Sequence, residues 1–399
     1  MEVNIMQIHI IAGLYNTFED KITPSPFIIS RMEKLKMHNI LFNVYIEHTS
    51  YSNILKKGYK LLRGCYPKEI ILPINREPYV VIENIYCMFD HLCMWFRLHK
   101  IIHNTQPYLH VKKGELIHVH WAFPHGYYGV KIAKQFGVPC VITTHGGEIP
   151  RALKNCRTRK YMMWTLDNAD KVIFVSKSQL KLAQEEGYSG KNAVIISNGV
   201  NLTEFYPIPR KEAMNTTHWT QSQKYTIGYV GRLDRDKGAD RFPLIFSEVK
   251  KIIDDVEFVV VGTGEYEDQI KNQCNALGLK ITFIGPIAPT DVVYWMNLFD
   301  VLILPSRSET WGCVTQEAYA CGVPVVGADV GGIPEALCDA GITVPDGDYF
   351  ETRFADAVCS ILDGRKKIDK QVLLDIASQH TWDACVDKEI KVYQSLFNP

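Results

Sequence analysis

Two cationic residues stand close together in a loop whose sequence suits an anion. Arg232 and Lys237 flank a turn that follows an apolar run and leads toward a helical pattern. Fixed cations beside the amides of a helix start can bind a diphosphate. Acidic residues at Asp234 and Asp236 stand between them, so a solvated loop with its own ion pairs explains the same residues equally well.

Two glutamates further along the chain have side chains suited to hydroxyl groups. Glu309 follows an apolar run, and Glu317 lies in the first turns of a helix predicted to begin near Val314. A carboxylate accepts hydrogen bonds from both hydroxyls of a vicinal diol, as in a sugar or a ribose. Gly312, between them, would let the backbone approach a ligand. An acidic residue early in a helix also suits the helix dipole, so the two glutamates alone do not establish a site for a sugar or a ribose.

Two other patterns, both rich in glycine, are weaker indications of a ligand site. Gly262 and Gly264 form a fragment of a glycine-rich loop, but position 267 is Glu, so a dinucleotide fingerprint is incomplete. Gly331-Gly332 before Pro334 either holds an anion on its amides or is a simple turn before a helix.

No pattern predicts a metal site. Asp234-x-Asp236 and Asp346-x-Asp348 imitate a metal-binding acidic pair, but turn and helix-cap positions explain them better. No Cys or His group has the spacing of a zinc site. His118 and His120 alternate along a predicted strand, so one would face a ligand while the other packs.

The elements that must position these residues alternate along the chain. Short apolar runs predict strands at Ile5–Ile11, Leu41–Ile46, Ile117–His120, Val141–Thr143, Val172–Val175, Ala193–Ile196, Thr226–Val230, Phe258–Val261, Ile281–Ile284, Val301–Leu304 and Pro324–Val326. Helical spacing predicts helices at Phe27–His38, Gly129–Phe136, Ser178–Glu186 and Trp382–Phe397. Strands and helices alternate in this way in both halves of the chain. The alternation predicts two α/β domains with parallel sheets, joined by a linker at Asn198–Lys224. The polar loops then lie at the carboxyl ends of strands, where open parallel sheets bind ligands.

Composition excludes several classes of protein. Apolar residues make up 46% of the 399 residues and charged residues 22%, which rules out a disordered tail, a collagen-like fibre and a simple coiled coil. The sequence has no apolar run of membrane-spanning length and no secretory signal pattern. Its eleven scattered cysteines favour reduced thiols in a cytoplasmic protein.

Taken together, the sequences of these loops are specific enough to indicate a protein family. The stretch 305–326, PSRSETWGCVTQEAYACGVPVV, resembles the signature of retaining glycosyltransferases with the GT-B fold, glycosyltransferase family 4 (glycosyl transferases group 1). Five further segments resemble motifs of the same family: Thr144–Gly146, Ser197–Asn201, Val230–Gly238, Val261–Gly264 and Phe283–Gly285. The resemblance extends from about Ile117 to the end. Many members have a Gly-Gly loop where this chain has Lys21–Phe27, without glycine.

The resemblance implies roles for the matching residues of a nucleotide-sugar site. Arg232 and Lys237 would neutralise the donor diphosphate, Glu309 would hold sugar hydroxyls and Glu317 the ribose hydroxyls. The remaining implied donor contacts are the backbone around Gly312, Val314 and Thr315 at the phosphates, Ile287 beside the base, and Gly262. His145 would contact the transferred sugar near its reacting carbon, which makes His145 and Glu309 the predicted catalytic residues.

The family resemblance also implies an architecture and a reaction. Two Rossmann-like domains would face each other across a cleft: residues 1–205 on the acceptor side, and 206–380 binding the nucleotide sugar. The helix at 381–399 would cross back onto the first domain. The predicted reaction moves a hexosyl-type sugar from a UDP or GDP donor to a glycan or lipid-linked acceptor, with retention. It needs no metal and no cofactor, and it would serve surface polysaccharide or glycoconjugate synthesis. The alternatives are a sugar phosphorylase, a nucleotide-sugar epimerase, and a non-catalytic sugar-binding or scaffold protein.

The charge distribution suggests a further partner. Residues 1–205 carry 25 basic and 16 acidic residues, a net of +9, while 206–399 carry 19 and 28, a net of −9. The basic residues cluster at Lys56–Lys68 and at Arg151–Lys160. Such clusters attract an anionic acceptor and an anionic inner membrane leaflet, so we expect peripheral attachment there. Even spreading around the domain, or pairing with the acidic half, would remove that attraction. No nucleic-acid-binding motif is present.

Overall fold

The computed structural model describes residues 6–13, 15–16, 22–23, 26–51, 79–86, 98–99, 102–103 and 105–397. The chain divides into two compact units. Unit 1 comprises residues 1–175, 179–196 and 386–399, and unit 2 comprises residues 176–178 and 197–385. The basic cluster at Lys56–Lys68 lies outside the described residues.

Unit 1 is built on a parallel sheet. Among its described residues, seven strands pair in the order β5-β4-β1-β6-β7-β8-β9. They are β1 (Gln7–Gly13), β4 (Leu41–Tyr51), β5 (Tyr79–Tyr86), β6 (Leu116–His120), β7 (Cys140–Thr144), β8 (Lys171–Phe174) and β9 (Ala193–Ile195), with β2 (Tyr15–Asn16) and β3 (Ile22–Thr23) forming a separate antiparallel pair. Every residue of β6 and of β7 is buried, as expected for strands covered on both faces.

Unit 2 repeats the plan. Its six described strands pair in parallel in the order β12-β11-β10-β13-β14-β15. They are β10 (Tyr225–Val230), β11 (Val256–Val261), β12 (Ile281–Gly285), β13 (Val301–Leu304), β14 (Val325–Ala328) and β15 (Ile342–Val344). Strand order reverses on either side of β10, which is the topological switch point at which such sheets bind ligands.

Helices connect the strands. In chain order they are α1 (Pro26–Met37), α2 (Tyr127–Phe136), α3 (Glu148–Leu153), α4 (Cys156–Asn168), α5 (Lys177–Glu185), α6 (Arg210–Thr217), α7 (Phe242–Ile252), α8 (Glu267–Ala276), α9 (Val292–Met296), α10 (Cys313–Cys321), α11 (Ile333–Leu337), α12 (Phe350–Leu362), α13 (Lys370–Gln379) and α14 (Trp382–Ser395). Their apolar sides pack on the sheets; Phe246 of α7 stacks on Phe258 of β11 with ring centroids 4.0 Å apart. No helix in the described part of the chain is long and apolar enough to cross a membrane.

The prediction of two Rossmann-like α/β domains is confirmed, and each predicted strand overlaps an observed one. Two strands of the parallel sheets, β5 and β15, were not predicted, and neither was the short antiparallel pair β2 and β3. β5 contains Glu83 and Asn84 within its apolar residues, and β15 has only three residues, so neither produces a clear apolar run. The predicted linker is also partly helical, because α6 lies inside it.

The units divide at different residues from the predicted boundaries of 205 and 381. Ser197 already belongs to unit 2, and the return to unit 1 begins at Val386. Packing explains the difference: Phe205 and Ile208 are buried in an apolar cluster of unit 2. Val200 pairs with Thr381 as an isolated parallel bridge, which holds both segments on that unit.

Candidate active site

The turn after β10 contains its own ion pair. Arg232 Nη2 lies 3.0 Å from Asp234 Oδ2, and the Arg232 side chain is 73% exposed. The other oxygen of this carboxylate, Oδ1, accepts a hydrogen bond from the Lys237 amide at 2.9 Å. Asp234 is therefore a turn residue, as predicted, and it holds the two cations at the ends of one loop.

Lys237 is linked to the glutamate loop of the same unit. Its Nζ donates to Glu309 Oε2 at 2.5 Å, and both side chains are largely buried. The backbone holds the two loops in register, because the amides of Arg307 and Ser308 donate to the Asp236 carbonyl at 2.8 and 3.0 Å. The structure thus brings a predicted diphosphate ligand and a predicted sugar ligand together.

Two glycines permit this close packing of loops. Gly238 has φ +69°, and a β-carbon there would overlap the Pro305 carbonyl. Gly331 has φ +55°, and a β-carbon there would overlap the Glu309 carbonyl, while the next amide, of Gly332, donates to that carbonyl at 3.1 Å. Of the two sequence interpretations of Gly331-Gly332, the turn is the one observed: it supports the backbone of Glu309.

The start of α10 presents polar groups that other described residues do not pair. Gly312 precedes the helix with φ +77°, beside Glu309 and Thr315. The first amides of a helix have no partner within it. Among the described residues, neither the buried Thr315 hydroxyl nor the buried Trp311 indole N–H has a hydrogen-bond partner. Buried polar groups are nearly always paired, so these two are candidates for contact with a ligand, and Trp311 is one that the sequence did not predict.

Glu317 lies one turn further along α10 and is half-buried. No side chain or amide in the described part of the chain donates to its carboxylate. Burial, and secondly the negative charge of Glu204, raises the pKa of Glu317 to about 7 from its ordinary 4.5. A carboxylate in this state accepts hydroxyl hydrogen bonds readily, since they stabilise its charged form.

Three predicted donor contacts remain. Val314 is the second residue of α10 and is half-buried against the apolar cluster of unit 2. The other two, Gly262 and Ile287, are positioned at strand ends. Gly262 directly follows β11, and its amide donates to the Gly285 carbonyl at 2.9 Å. A β-carbon at Gly262 would overlap the Gly231 carbonyl, so packing between loops accounts for this glycine. Ile287, just past β12, is half-buried against the apolar cluster of unit 2.

His145 lies in unit 1, at the carboxyl end of β7. The amides of His145 and Gly146 each donate to Glu148 at 2.7 Å, one to each carboxylate oxygen. Glu148 is itself buried, and burial raises its pKa. This arrangement fixes the backbone of the histidine loop, while the His145 ring stays half-buried.

His145 belongs to a group of three histidines. Its Nε2 lies 2.8 Å from His120 Nδ1, and the His118 and His120 rings have centroids 4.6 Å apart. The expectation that His118 and His120 face different ways is wrong: residues two apart on a strand share one face, and both are buried. Burial lowers the pKa of His118 to about 3, with Arg31 adding to the effect, and lowers those of His120 and His145 well below 6.5. All three rings are therefore neutral at pH 7.

The two acidic pairs have structural partners. Asp234 pairs as described above, and Asp346 forms an ion pair with the buried Arg241, whose guanidinium also donates to the Pro305 carbonyl at 3.0 Å. Within the described residues, no three His, Cys, Asp or Glu side chains are grouped so that they could hold a metal ion.

Comparison with known proteins identifies relatives of both units. Residues 224–364 match the family model of glycosyl transferases group 1, and residues 69–204 match that of glycosyltransferase family 4. An uncharacterized glycosyltransferase of Methanocaldococcus jannaschii is 27% identical over 71% of this chain and 76% of its own length. A GDP-mannose-dependent alpha-mannosyltransferase of Mycolicibacterium smegmatis is 28% identical over 70% of this chain and 73% of its own. The crystal structure of Anabaena HepE in complex with UDP superposes with a TM-score of 0.73 at 17% identity, covering 98% of this chain and 100% of that one.

Proposed function

This chain belongs to the group 1 and family 4 glycosyltransferases, and from that premise we propose that it transfers a hexosyl sugar, with retention, from a nucleoside-diphosphate sugar to a glycan or lipid-linked acceptor. The product would enter surface polysaccharide or glycoconjugate synthesis. The observation that carries the proposal is the Lys237–Glu309 pair beside the start of α10. In this pair, the cation proposed to bind the diphosphate, Lys237, contacts the carboxylate proposed to bind the sugar, Glu309.

The proposed chemistry follows from where charge develops. The bond from the anomeric carbon to the diphosphate oxygen breaks, and negative charge builds on the departing diphosphate. Arg232, Lys237 and the first amides of α10 stabilise that charge without reorganising, which lowers the barrier. The acceptor hydroxyl oxygen forms the new bond to the carbon, and its proton passes to the departing diphosphate oxygen. We propose that these cations make a divalent metal unnecessary.

The remaining residues orient the donor. Glu317 accepts the ribose hydroxyls, Glu309 accepts sugar hydroxyls, and Ile287 borders the base. Neutral His145 contacts the transferred sugar as a hydrogen-bonding partner, without adding charge. Relatives support either base, since one is named for GDP-mannose and another binds UDP, so both belong in the donor panel.

For the acceptor side we propose contact with an anionic surface at the α3–α4 segment. Arg151, Lys154, Arg157 and Lys160 are exposed, and none of the four takes part in an ion pair with another described residue. Arg157 lies in the first turn of α4, where the helix dipole disfavours a basic residue, so an external anion would stabilise it. An anionic lipid leaflet that carries the acceptor meets this requirement.

The test incubates the protein with UDP- and GDP-sugars and with glycan and lipid-linked acceptors, followed by mass spectrometry of the products. We expect one added hexosyl mass and release of nucleoside diphosphate only when acceptor is present. A sugar phosphate formed from a glycan and inorganic phosphate would identify a phosphorylase instead. Donor binding without transfer to any acceptor would leave a sugar-binding protein.

A further inference from the structure

The C-terminal helix, α14, contributes one residue of a buried ion pair in unit 1. Arg31 of α1 donates from Nε to Glu389 Oε1 of α14 at 2.6 Å, and the side chains are 2% and 0% exposed. Charges this deeply buried are costly to desolvate, and apolar residues of similar volume often hold two helices together as well or better. The pair therefore needs an explanation beyond the docking of α14.

From this pair a hydrogen-bonded chain leads to the sheet. The Tyr393 hydroxyl donates to Glu389 Oε2 at 3.4 Å and lies 2.8 Å from His118 Nδ1. Burial, with the Glu389 charge, raises the pKa of Tyr393, so the hydroxyl keeps its proton. A carboxylate paired with arginine only accepts hydrogen bonds. The shorter contact joins the Tyr393 hydroxyl to His118 Nδ1, and in either tautomer of His118 one of these two groups donates to the other.

The other nitrogen of His118 is held as well. Its Nε2 lies 2.8 Å from Thr143 Oγ1 of β7, a hydroxyl that can either donate to this nitrogen or accept from it. With both nitrogens engaged, this ring cannot flip without breaking buried hydrogen bonds. His120 packs on this fixed ring, and His120 in turn holds the His145 ring at 2.8 Å.

We propose that Tyr393 and Glu389 are positioning residues for His145, which they orient through the fixed ring of His118 and through His120. The proposal rests on the role proposed above for His145 at the donor sugar. The C-terminal helix would then contribute to the reaction without touching substrate, by keeping His145 in one orientation. Misplacement of a reacting contact by about 1 Å can reduce turnover by about 100-fold, so an indirect partner of this kind matters.

Tyr393→Phe tests the idea, because it removes one hydroxyl and keeps the ring. Tyr188→Phe is the matched control: Tyr188 is buried in the same unit and its hydroxyl donates to Asn192 at 2.8 Å, away from the histidines. We expect a lower melting temperature in both variants, with the larger loss in Tyr393→Phe, since the Tyr393 hydroxyl has two hydrogen-bond partners and the Tyr188 hydroxyl has one. Only Tyr393→Phe should lose kcat, by about tenfold, with the donor KM unchanged. Equal kcat values in the two variants would show that Tyr393 serves stability alone and would overturn the proposal.

A spectroscopic measurement separates this proposal from the proposed function. Side-chain ¹⁵N–¹H spectra of the histidine-labelled protein report tautomers, and His118→Gln, His120→Gln and His145→Gln assign the signals. In Tyr393→Phe we expect changed signals for all three histidines, and none in Tyr188→Phe. Thr143→Val, which frees the other nitrogen of His118, should act in the same direction. Unchanged His145 signals in both variants would refute the positioning chain even in an active enzyme, whereas changed signals in a protein without transfer would leave the chain standing and refute the function.

Discussion

Lys237 and Glu309 form an ion pair at 2.5 Å although they belong to loops that follow different strands, β10 and β13. Each was predicted from its own local pattern, one as a ligand for phosphate and the other for sugar hydroxyls. Because the two side chains are in contact, a diphosphate bound by Lys237 and a sugar bound by Glu309 would be neighbours.

Removing Glu309 should separate chemistry from nucleotide binding. In Glu309→Ala we expect transfer to fall by about 100-fold or more, because a contact to the sugar is lost. Nucleoside diphosphate should still bind, since Arg232, Lys237 and Glu317 remain. Calorimetry with UDP and GDP, alongside product assays, measures both effects.

The control for that variant is Glu267→Ala, which removes another lysine-paired glutamate of unit 2, 2.6 Å from Lys271. It should leave transfer unchanged. Lys237→Met should have the opposite effect to Glu309→Ala: its main loss should be in affinity for the nucleoside diphosphate. Near-normal turnover in Glu309→Ala would contradict the assignment of this residue.

Nucleotide binding should depend on pH through Glu317. With a pKa of about 7, this carboxyl is ionised at pH 8 and largely protonated at pH 6, where it no longer accepts both ribose hydroxyls. We expect affinity for UDP or GDP to fall by about tenfold over that range, in addition to the titration of the nucleotide itself. Glu317→Gln should show only the nucleotide's own dependence. Identical pH profiles for the two proteins would exclude Glu317 from the ribose site.

The same pKa predicts a stability effect that needs no ligand. The pKa of Glu317 is higher in the folded protein than in the unfolded chain, so the folded state binds the proton more tightly. The group therefore lowers the free energy of unfolding as pH rises from 4.5 to about 7. From pH 4.5 to about 7, the melting temperature of Glu317→Gln should rise relative to that of the wild type. Above pH 8 the difference between the two melting temperatures should stay constant.

Activity should survive removal of divalent metals. Arg232 and Lys237 are proposed to supply the positive charge at the diphosphate, so treatment with EDTA should leave the rate of transfer unchanged. Loss of transfer in EDTA, with recovery on adding Mg²⁺ or Mn²⁺, would show that the two cations are insufficient.

Attachment to anionic membranes should depend on the α3–α4 segment and on salt. We expect cosedimentation with phosphatidylglycerol-containing vesicles at low salt, lost at high salt or with neutral vesicles. Each basic residue near such a surface contributes about 1 kcal/mol, so Arg157→Ala with Lys160→Ala should weaken partitioning by roughly 30-fold. The pair Lys366→Ala and Lys367→Ala, exposed in unit 2, is the charge-matched control. Equal losses in both double variants would point to general charge attraction instead of a defined surface.

The sequence by itself determined the fold class and the donor-side loops of unit 2. Buried parallel strands appear in the sequence as continuous apolar runs with polar loops directly after them, which places Arg232, Lys237 and Glu309 just past strands and Glu317 early in the helix that follows. Their roles as donor ligands come from the family resemblance and stay a prediction. The sequence did not predict β5 and β15, which have no clear apolar run. It predicted a linker at Asn198–Lys224, but Phe205 and Ile208 within that segment pack in unit 2.

Tertiary structure alone decided which residues act together. The hydroxyl of Tyr393 meets His118, and Arg31 meets Glu389, across long stretches of chain that no periodicity connects. The raised pKa of Glu317 has the same origin, because burial and the charge of Glu204 depend on neighbours brought in by folding. Spacing along a chain records the period of a helix or a strand, but desolvation and contact between distant segments exist only once the chain has packed.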